Sequence, residues 1–396
     1  MVDISNIKKI SVVGAGIMGQ GIAQVSLMAG YNVSLIDIDQ KSVDNGIAKI
    51  KEGLKKVEIK GKLGEGISTA DIMTKCKKSI DLTSAVKEAD LIFEAVVEDL
   101  DVKKDVCNIV MNNAPSHCIF ASNTSTYYIT DIAKDSKTPE QVIGMHFFLP
   151  VVLQCCVEVM KGEKTSDEAL DIGVAIGERL PCLKGRRLSV RIEKESPGFI
   201  ANRLLIPPNI YINWILDHAY ERGIPWEQID ADAGAGQLIP MGPCQLIDYL
   251  GVDTNYNVLK SYEKHLSPDF SPGKVITKLM KEGNLGKKTG MGFYNWTKGR
   301  PKLNLTKKAG LFNSEILMAI QLNEGCRLLE EGVVSGYKII DDVMLKGTNM
   351  PGPFSAGKNN FEKWSKLLED IVEKTGKKYL KPCELMKTGE FRKMRK

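Results

Sequence analysis

The chain holds four histidines in 396 residues, and one of them, His146, stands in the apolar run "GMHFFLPVVLQCCVEVM" (residues 144–160), twelve positions ahead of Glu158. An imidazole with a carboxylate at one ring nitrogen is the arrangement of a general base: the acid fixes the tautomer and stabilises the ring once protonated. Pairing "QVIGMHFF" with "LQCCVEVM" as a hairpin around residues 149–152 sets His146 opposite about Cys156, with Glu158 its diagonal neighbour on the same face. Long side chains meet across such a diagonal. A solitary histidine in an apolar strand is more often a satisfied core residue, so it is the carboxylate that turns the reading towards catalysis.

"ISVVGAGIMGQGIAQ" places Gly14, Gly16 and Gly19 in a G-x-G-x-x-G between an apolar strand and a helix. The first glycine allows a tight turn, the second lets backbone N–H groups approach a pyrophosphate, and the third lets helix and strand pack closely. Gly14, Gly16, Ile17, Met18 and Gly19 are therefore the expected cofactor-binding loop. Asp37 follows 23 residues after Gly14, where a carboxylate accepts from a ribose 2′-OH and repels a 2′-phosphate. Ile38 beside it offers no cation, so NAD is expected rather than NADP.

Three further segments carry polar groups in places that suggest binding. Ser122, Asn123, Thr124 and Ser125 end a strand at the sheet's carboxyl edge, where open α/β sheets hold ligands. One hydroxyl suffices to cap the helix that follows; four polar groups exceed that need. Asn202 lies in "ESPGFIANRLL", on a helix expected to start near Pro197. Lys49, Lys51, Lys55, Lys56, Lys60 and Lys62 share one helical stretch, which is either a solvated face or a seat for a phosphorylated carrier.

The elements that must position these residues alternate. From Ile7, β-branched runs such as "KKISVVGAG" and "YNVSLIDID" flank helical stretches, Ile17 to Ala29 and Lys41 to about Lys62, which implies βαβ units and a parallel sheet. Beyond "ESPGFIANRLL" the pattern turns helical. The expected fold is an α/β Rossmann-like N-terminal domain over 1–194 and an all-α C-terminal region made of two related helical repeats. The first repeat spans 195–295, a linker 296–308, and the second repeat 309–396. The repeat is legible as Gly223 with Gly332, Ile229-Asp230 with Ile340-Asp341, Gly236 with Gly347, and Gly242-Pro243 with Gly352-Pro353. The basic end "TGEFRKMRK" reads as a solvated tail.

Composition narrows the class. With 43% hydrophobic and 26% charged residues and a net charge of +5, the chain has a globular balance and no drive towards nucleic acid. Nine cysteines without CxxC spacing suggest neither a metal site nor a disulfide framework, and a reducing compartment fits. The N-terminus runs directly into a strand with no apolar leader, and nowhere do eighteen apolar residues follow one another. A cytoplasmic protein without membrane contact is expected.

Taken in order, "GAGIMGQGIAQ", "LIDID", "EAVVEDLDVKK", "FASNTS", "GMHFF" with "VEV", "SPGFIANRLL", "PMGPCQLIDYLG" and "GKKTGMGFY" resemble the motifs of L-3-hydroxyacyl-CoA dehydrogenases, from about Lys8 to Asn295. The resemblance implies NAD-dependent oxidation of an (S)-3-hydroxyacyl-CoA, or reduction of the ketone, on short chains such as 3-hydroxybutyryl-CoA. It makes His146 the base, Glu158 its partner, and Ser125 and Asn202 the groups that hold the reacting oxygen and the substrate. It makes Glu98, Lys103, Ser125 and Lys288 further NAD contacts, and assigns Lys60, with Lys56, to the CoA phosphates. A duplicated helical domain implies a monomer that acts as a pseudo-dimer, or a homodimer. Leu149 departs from the pattern where the family has an asparagine, Gly53 where it often has a serine, and "LKGRRLSVRIEKE" is longer than usual. Two alternatives stay open: a dehydrogenase of free hydroxy or sugar acids, as in lambda-crystallin-like relatives, and a non-catalytic NAD-binding relative.

Overall fold

The computed structural model describes residues 4–235 and 240–396. Two compact units divide the chain: one comprises the residues up to Ala201 with Gly332–Gly352 and Lys396, the other Asn202–Glu331 with Pro353–Arg395.

The first unit begins with β1 (Lys9–Val13), α1 (Ile17–Met28), β2 (Asn32–Ile36), α2 (Gln40–Ile59), α3 (Thr69–Met73) and β3 (Cys76–Ser79). It continues with α4 (Leu82–Ala85), β4 (Leu91–Glu94), α5 (Leu100–Asn113), β5 (Ile119–Ser122), α6 (Ile129–Ile132), β6 (Val142–Phe147), β7 (Cys156–Lys161), α7 (Asp167–Arg179) and β8 (Leu188–Ile192). One eight-stranded sheet runs β3-β2-β1-β4-β5-β6-β7-β8. Every neighbouring pair is parallel except β6 with β7. β4, β5 and β6 are buried at every residue, as strands covered on both faces must be. On α2 the buried positions Val43, Gly46, Ile50, Leu54 and Val57 recur at helical spacing, which turns the lysines to the opposite face. Strand order reverses between β1 and β4, and the crevice at such a reversal is where a doubly wound sheet takes its ligand.

The register differs from expectation. His146 lies directly opposite Glu158 rather than diagonal to it, because the connector between β6 and β7 takes up residues 148–155, a longer loop than residues 149–152. Pairing therefore shifts by two residues and keeps both side chains on one face.

The second unit holds α8 (Ala201–Leu205), α9 (Pro208–Glu221), α10 (Trp226–Asp232), α11 (Pro243–Leu250), α12 (Val252–His265), α13 (Lys274–Lys281) and α14 (Ser314–Glu330). After α15 (Tyr337–Val343), which belongs to the first unit, it resumes with α16 (Pro353–Thr375) and α17 (Glu384–Thr388). Residues 296–308 form neither helix nor strand. The helix carrying Asn202 starts at Ala201 rather than near Pro197, because Gly198 and Phe199 take left-handed backbone angles, φ 81° and 56°. Arg203, 2% exposed, ties α8 to α14 through Glu324 at 2.9 Å and Glu331 at 2.7 Å. The basic tail is folded rather than frayed: Phe391 is fully buried against Phe354 and Phe361, an anchor that outweighs the charges around it. Of the positions matched in the expected repeat, Gly236 lies outside the described residues.

Candidate active site

His146 is 6% exposed near the end of β6, and its Nδ1 lies 2.6 Å from Glu158 Oε2. The other carboxylate oxygen, Oε1, accepts the backbone N–H groups of Ile200 at 2.9 Å and Ala201 at 3.0 Å. Glu158 is fully buried, so these donors replace its hydration and hold it rigidly. Phe148 and Phe199 pack on the imidazole with centroid distances of 4.9 and 5.1 Å. Phe199 adopts its positive φ, uncommon for a residue with a side chain, at the turn that presents those two N–H groups. With Nδ1 occupied, Nε2 is the nitrogen left to take a proton.

The glycine loop has the shape a pyrophosphate needs. A Cβ on Gly14 would stand 2.3 Å from Ala95 O and one on Gly19 1.8 Å from Gly14 O, whereas one on Gly16 would meet nothing within 4 Å. Gly14 and Gly19 thus close the turn, and Gly16 leaves its backbone open to a ligand. No side chain caps α1, so its first N–H groups, at Ile17 and Met18, remain free for an anion. Asp37, just beyond β2, accepts from Ala15 N at 2.7 Å, which fixes the carboxylate beside that loop. The residues fit a dinucleotide.

Beside this crevice a buried charge cluster joins β4, α5 and β5. Lys103, 1% exposed, donates to Glu94 Oε1 at 2.9 Å and pairs with Glu98 Oε2 at 3.1 Å. Glu94 also accepts from Val96 N at 2.9 Å and from the Ser122 hydroxyl at 2.5 Å. Glu98 Oε1 accepts from Thr124 Oγ1 and Ser125 N, both at 2.8 Å, and from Thr126. Burial pushes the Glu98 carboxyl up, yet the Lys103 ammonium and these hydrogen bonds outweigh it and hold it below its ordinary value. Burial likewise works against the Lys103 charge, and the two carboxylates reverse the direction. The structure therefore makes the segment 122–126 a braced loop. It presents Ser125, half-buried, with its backbone N–H engaged by Glu98. Glu94 escaped sequence reasoning; an acid closing an apolar strand at the point where strand order reverses was its signal.

On α2, Lys56 is paired with Glu52 at 2.7 Å and Lys49 with the same carboxylate at 3.0 Å. Lys60 is exposed at the helix's C-terminal end. A Cβ on Gly53 would fall 2.4 Å from Gln24 Oε1, so this glycine seats α2 against α1, and a serine here would have to displace the end of the Gln24 side chain. Asn202 and Lys288 belong to the second unit, where Lys288 pairs with Asp253.

The cysteines correct one expectation. Cys155 and Cys182 form a disulfide with Cα atoms 5.6 Å apart, while the other seven are free thiols. The partners stand 27 residues apart in two loops that only the packing of β7 and β8 brings together, so their spacing carries no motif. Among the described residues no cluster of His, Cys, Asp and Glu could hold a metal ion, and no helix is long and apolar enough to cross a membrane.

The model of the 3-hydroxyacyl-CoA dehydrogenase NAD binding domain matches residues 9–183, and that of the 3-hydroxyacyl-CoA dehydrogenase C-terminal domain matches residues 198–296. Hydroxyacyl-coenzyme A dehydrogenase, mitochondrial, of Homo sapiens is 36% identical over 303 residues, 73% of this chain and 91% of the relative. The chain belongs to the 3-hydroxyacyl-CoA dehydrogenase family. Another family member, a probable 3-hydroxybutyryl-CoA dehydrogenase of Bacillus subtilis, is 36% identical over 292 residues, 73% of this chain and 98% of its own. The crystal structure of 3-hydroxybutyryl-CoA dehydrogenase from Escherichia coli, at 26% identity, covers 97% of this chain and 98% of that one with a TM-score of 0.81. The α/β sheet of this chain is thus the family's NAD-binding domain, followed by a helical region.

Proposed function

We infer that this family member oxidises (S)-3-hydroxyacyl-CoA to 3-ketoacyl-CoA with NAD, or runs the reduction, on short chains such as 3-hydroxybutyryl-CoA. The observation that carries the reading is the His146 Nδ1 to Glu158 contact of 2.6 Å, which leaves Nε2 to accept a proton. Bound NAD supplies the hydride acceptor. His146 takes the proton of the C3 hydroxyl as C3 gives up its hydride, and buried Glu158 stabilises the imidazolium. Such positioned proton transfer contributes roughly 10²–10⁴-fold in rate. Ser125 and Asn202 take the roles the family pattern gives them, hydrogen bonds to the C3 oxygen and the substrate. Gly14, Gly16, Ile17, Met18 and Gly19 hold the pyrophosphate and Asp37 the adenosine ribose. Of the further NAD contacts, Glu98 and Lys288 are the direct ones, and Lys103 acts through Glu98, because its ammonium is already bound by two carboxylates. Lys60 serves the CoA phosphates, and Lys56, held by Glu52, serves less.

The helical region is read as two related repeats, which makes a monomeric pseudo-dimer or a homodimer the expected assembly, in the cytoplasm. A shared local device supports the repeat: Gly242 packs under Asp230 so closely that a Cβ would lie 2.4 Å from its carboxylate, and Gly352 meets Asp341 at 2.0 Å in the same way.

The absence of a serine at Gly53 favours a second reading, a dehydrogenase of free hydroxy or sugar acids. An NADH-consumption assay with acetoacetyl-CoA, free acetoacetate and longer ketoacyl-CoA esters separates the two. We expect acetoacetyl-CoA to be preferred; equal rates with free acetoacetate favour the second reading. NAD binding with no turnover of any of them leaves a non-catalytic relative.

A further inference from the structure

The connector from β6 to β7, residues 148–155, is the tether between His146 and Glu158, and it is fastened within the first unit from outside the hairpin. Arg187, 2% exposed, donates to Val151 O at 2.8 Å, Gln154 O at 2.9 Å and Cys156 O at 3.4 Å, and also to Leu180 O and Pro181 O. None of these acceptors is a carboxylate. Burial lowers the guanidinium pKa to about 10, still high enough to keep the charge at neutral pH. The guanidinium also lies over the Phe147 ring, the residue after His146. The segment after α15 adds two more ties: Cys155 N–H donates to Lys346 O at 3.1 Å, and Asn349 Nδ2 to Gln154 Oε1 at 3.3 Å. Leu183 N–H donates to Val152 O at 2.9 Å and Leu188 N–H to Cys155 O at 2.8 Å, and one further fastening is covalent, the Cys155–Cys182 bond, which joins the end of the connector to the turn before β8.

That bond sets its two cysteines apart from seven free thiols, of which Cys76 and Cys383 are likewise half-buried. Cys107, Cys118, Cys156, Cys244 and Cys326 are buried thiols whose pKa values burial raises. Cys155 and Cys182 are half-buried and reach solvent, and Cys182 is followed by the exposed cations Lys184 and Arg186. Partial exposure leaves the bond within reach of a small dithiol. A single bridge in a chain otherwise made of free thiols is the pattern of a responsive pair rather than a structural framework.

We propose that Cys155 and Cys182 form a reversible thiol–disulfide site, with dithiols as its reactants, that tunes the His146–Glu158 pair by tightening or loosening the connector three residues before Glu158. The inference rests on His146 being the base. In the opening step a dithiol gives up its two S–H bonds and closes into its own disulfide. The Cys155–Cys182 bond breaks, and each sulfur takes one electron and one proton. The Arg187 and Lys346 ties do not depend on the bond, so opening loosens the connector without releasing it, and the effect is graded.

The test uses the full chain, oxidised with a small-molecule disulfide or reduced with dithiothreitol, and reads thiol number, kcat and KM with acetoacetyl-CoA and NADH, and hydrogen exchange over residues 147–158. Counted after denaturation and removal of reductant, seven thiols should become nine on reduction. Reduction should lower kcat by roughly three- to tenfold, since small displacements of a positioned base are felt strongly in rate. KM for acetoacetyl-CoA should stay within about twofold, because the substrate-binding groups lie elsewhere. Exchange over 147–158 should speed up. A C155S/C182S variant should match the reduced form and ignore dithiothreitol. Nine thiols after oxidation, or an opened bond with unchanged kcat and exchange, overturns the proposal. If the protein turns over no ketoacyl-CoA in either state, the dehydrogenase reading falls instead, and thiol number and exchange still decide whether the clasp exists.

Discussion

Two acid–base clusters, each built on a buried pair, sit in the first unit, and they end differently. Around Lys103 the bonds close on themselves: the ammonium meets Glu94 and Glu98, and both acids are filled by Ser122, Val96, Thr124 and Ser125. Around His146 the acid is equally well filled, by Ile200, Ala201 and the imidazole, but the imidazole keeps one nitrogen unspent. A closed cluster braces a loop; one with an open valence does chemistry. The difference lies in a single ring atom: Lys103 and Glu94 are as buried as His146 and Glu158.

The sharpest way to test the contrast is His146→Gln. It should remove turnover by roughly 10²–10⁴-fold, the scale of a positioned base, while NAD binding by calorimetry and the thermal midpoint hold near those of the parent. Wild-type rates in this variant would place the base elsewhere.

Lys103→Met should behave in the opposite sense. Removing one partner from a buried pair leaves uncompensated charge and costs about 3–5 kcal/mol, read as a lower denaturant midpoint, with turnover surviving in the molecules that stay folded and KM for NAD raised, since Glu98 loses its ammonium. A variant as stable as the parent would mean that the cluster braces nothing.

The smallest effect concerns a third buried acid, in the helical unit. Asp230 accepts from Cys244 N, Gln245 N and the Tyr294 hydroxyl, yet burial raises its pKa from 3.8 to about 6. The folded state therefore holds the proton more tightly than the unfolded state. This contribution to stability is complete below pH 3.8 and is lost as pH rises through about 6. It amounts to about 2–3 kcal/mol at most. Denaturation at pH 4 and pH 7 should show a stability difference of that sign that shrinks in Asp230→Asn. An unchanged difference in the variant would assign it to other groups.

What could be read from the sequence was local. The glycine loop, Asp37 and the strand alternation are written in neighbouring residues, and they stand where spacing put them. The pairing of His146 with Glu158 was legible as a shared face but not as a register, because the length of the connector, not the strands, sets which residues face each other. Glu94 stayed hidden because its partners lie nine and 28 positions away. The N–H donors of Ile200 and Ala201 stayed hidden because backbone groups leave no trace in side-chain identity. The Cys155–Cys182 bond and the anchored Phe391 were missed for a similar reason: both depend on which loops and rings tertiary packing brings together.

The division of the chain carries a consequence of its own. The polypeptide leaves the sheet-bearing unit at 201–202, re-enters it at 331–332 and leaves again at 352–353. Gly347, in the returning stretch, packs so closely on Phe148 that a Cβ would stand 2.9 Å from its ring. No single cut in the stretch 297–308 can therefore liberate an intact sheet unit: the shortened product would lose the strap laid on Phe148. The two units are interleaved along the backbone rather than strung in series, so no single truncation removes one and keeps the other whole.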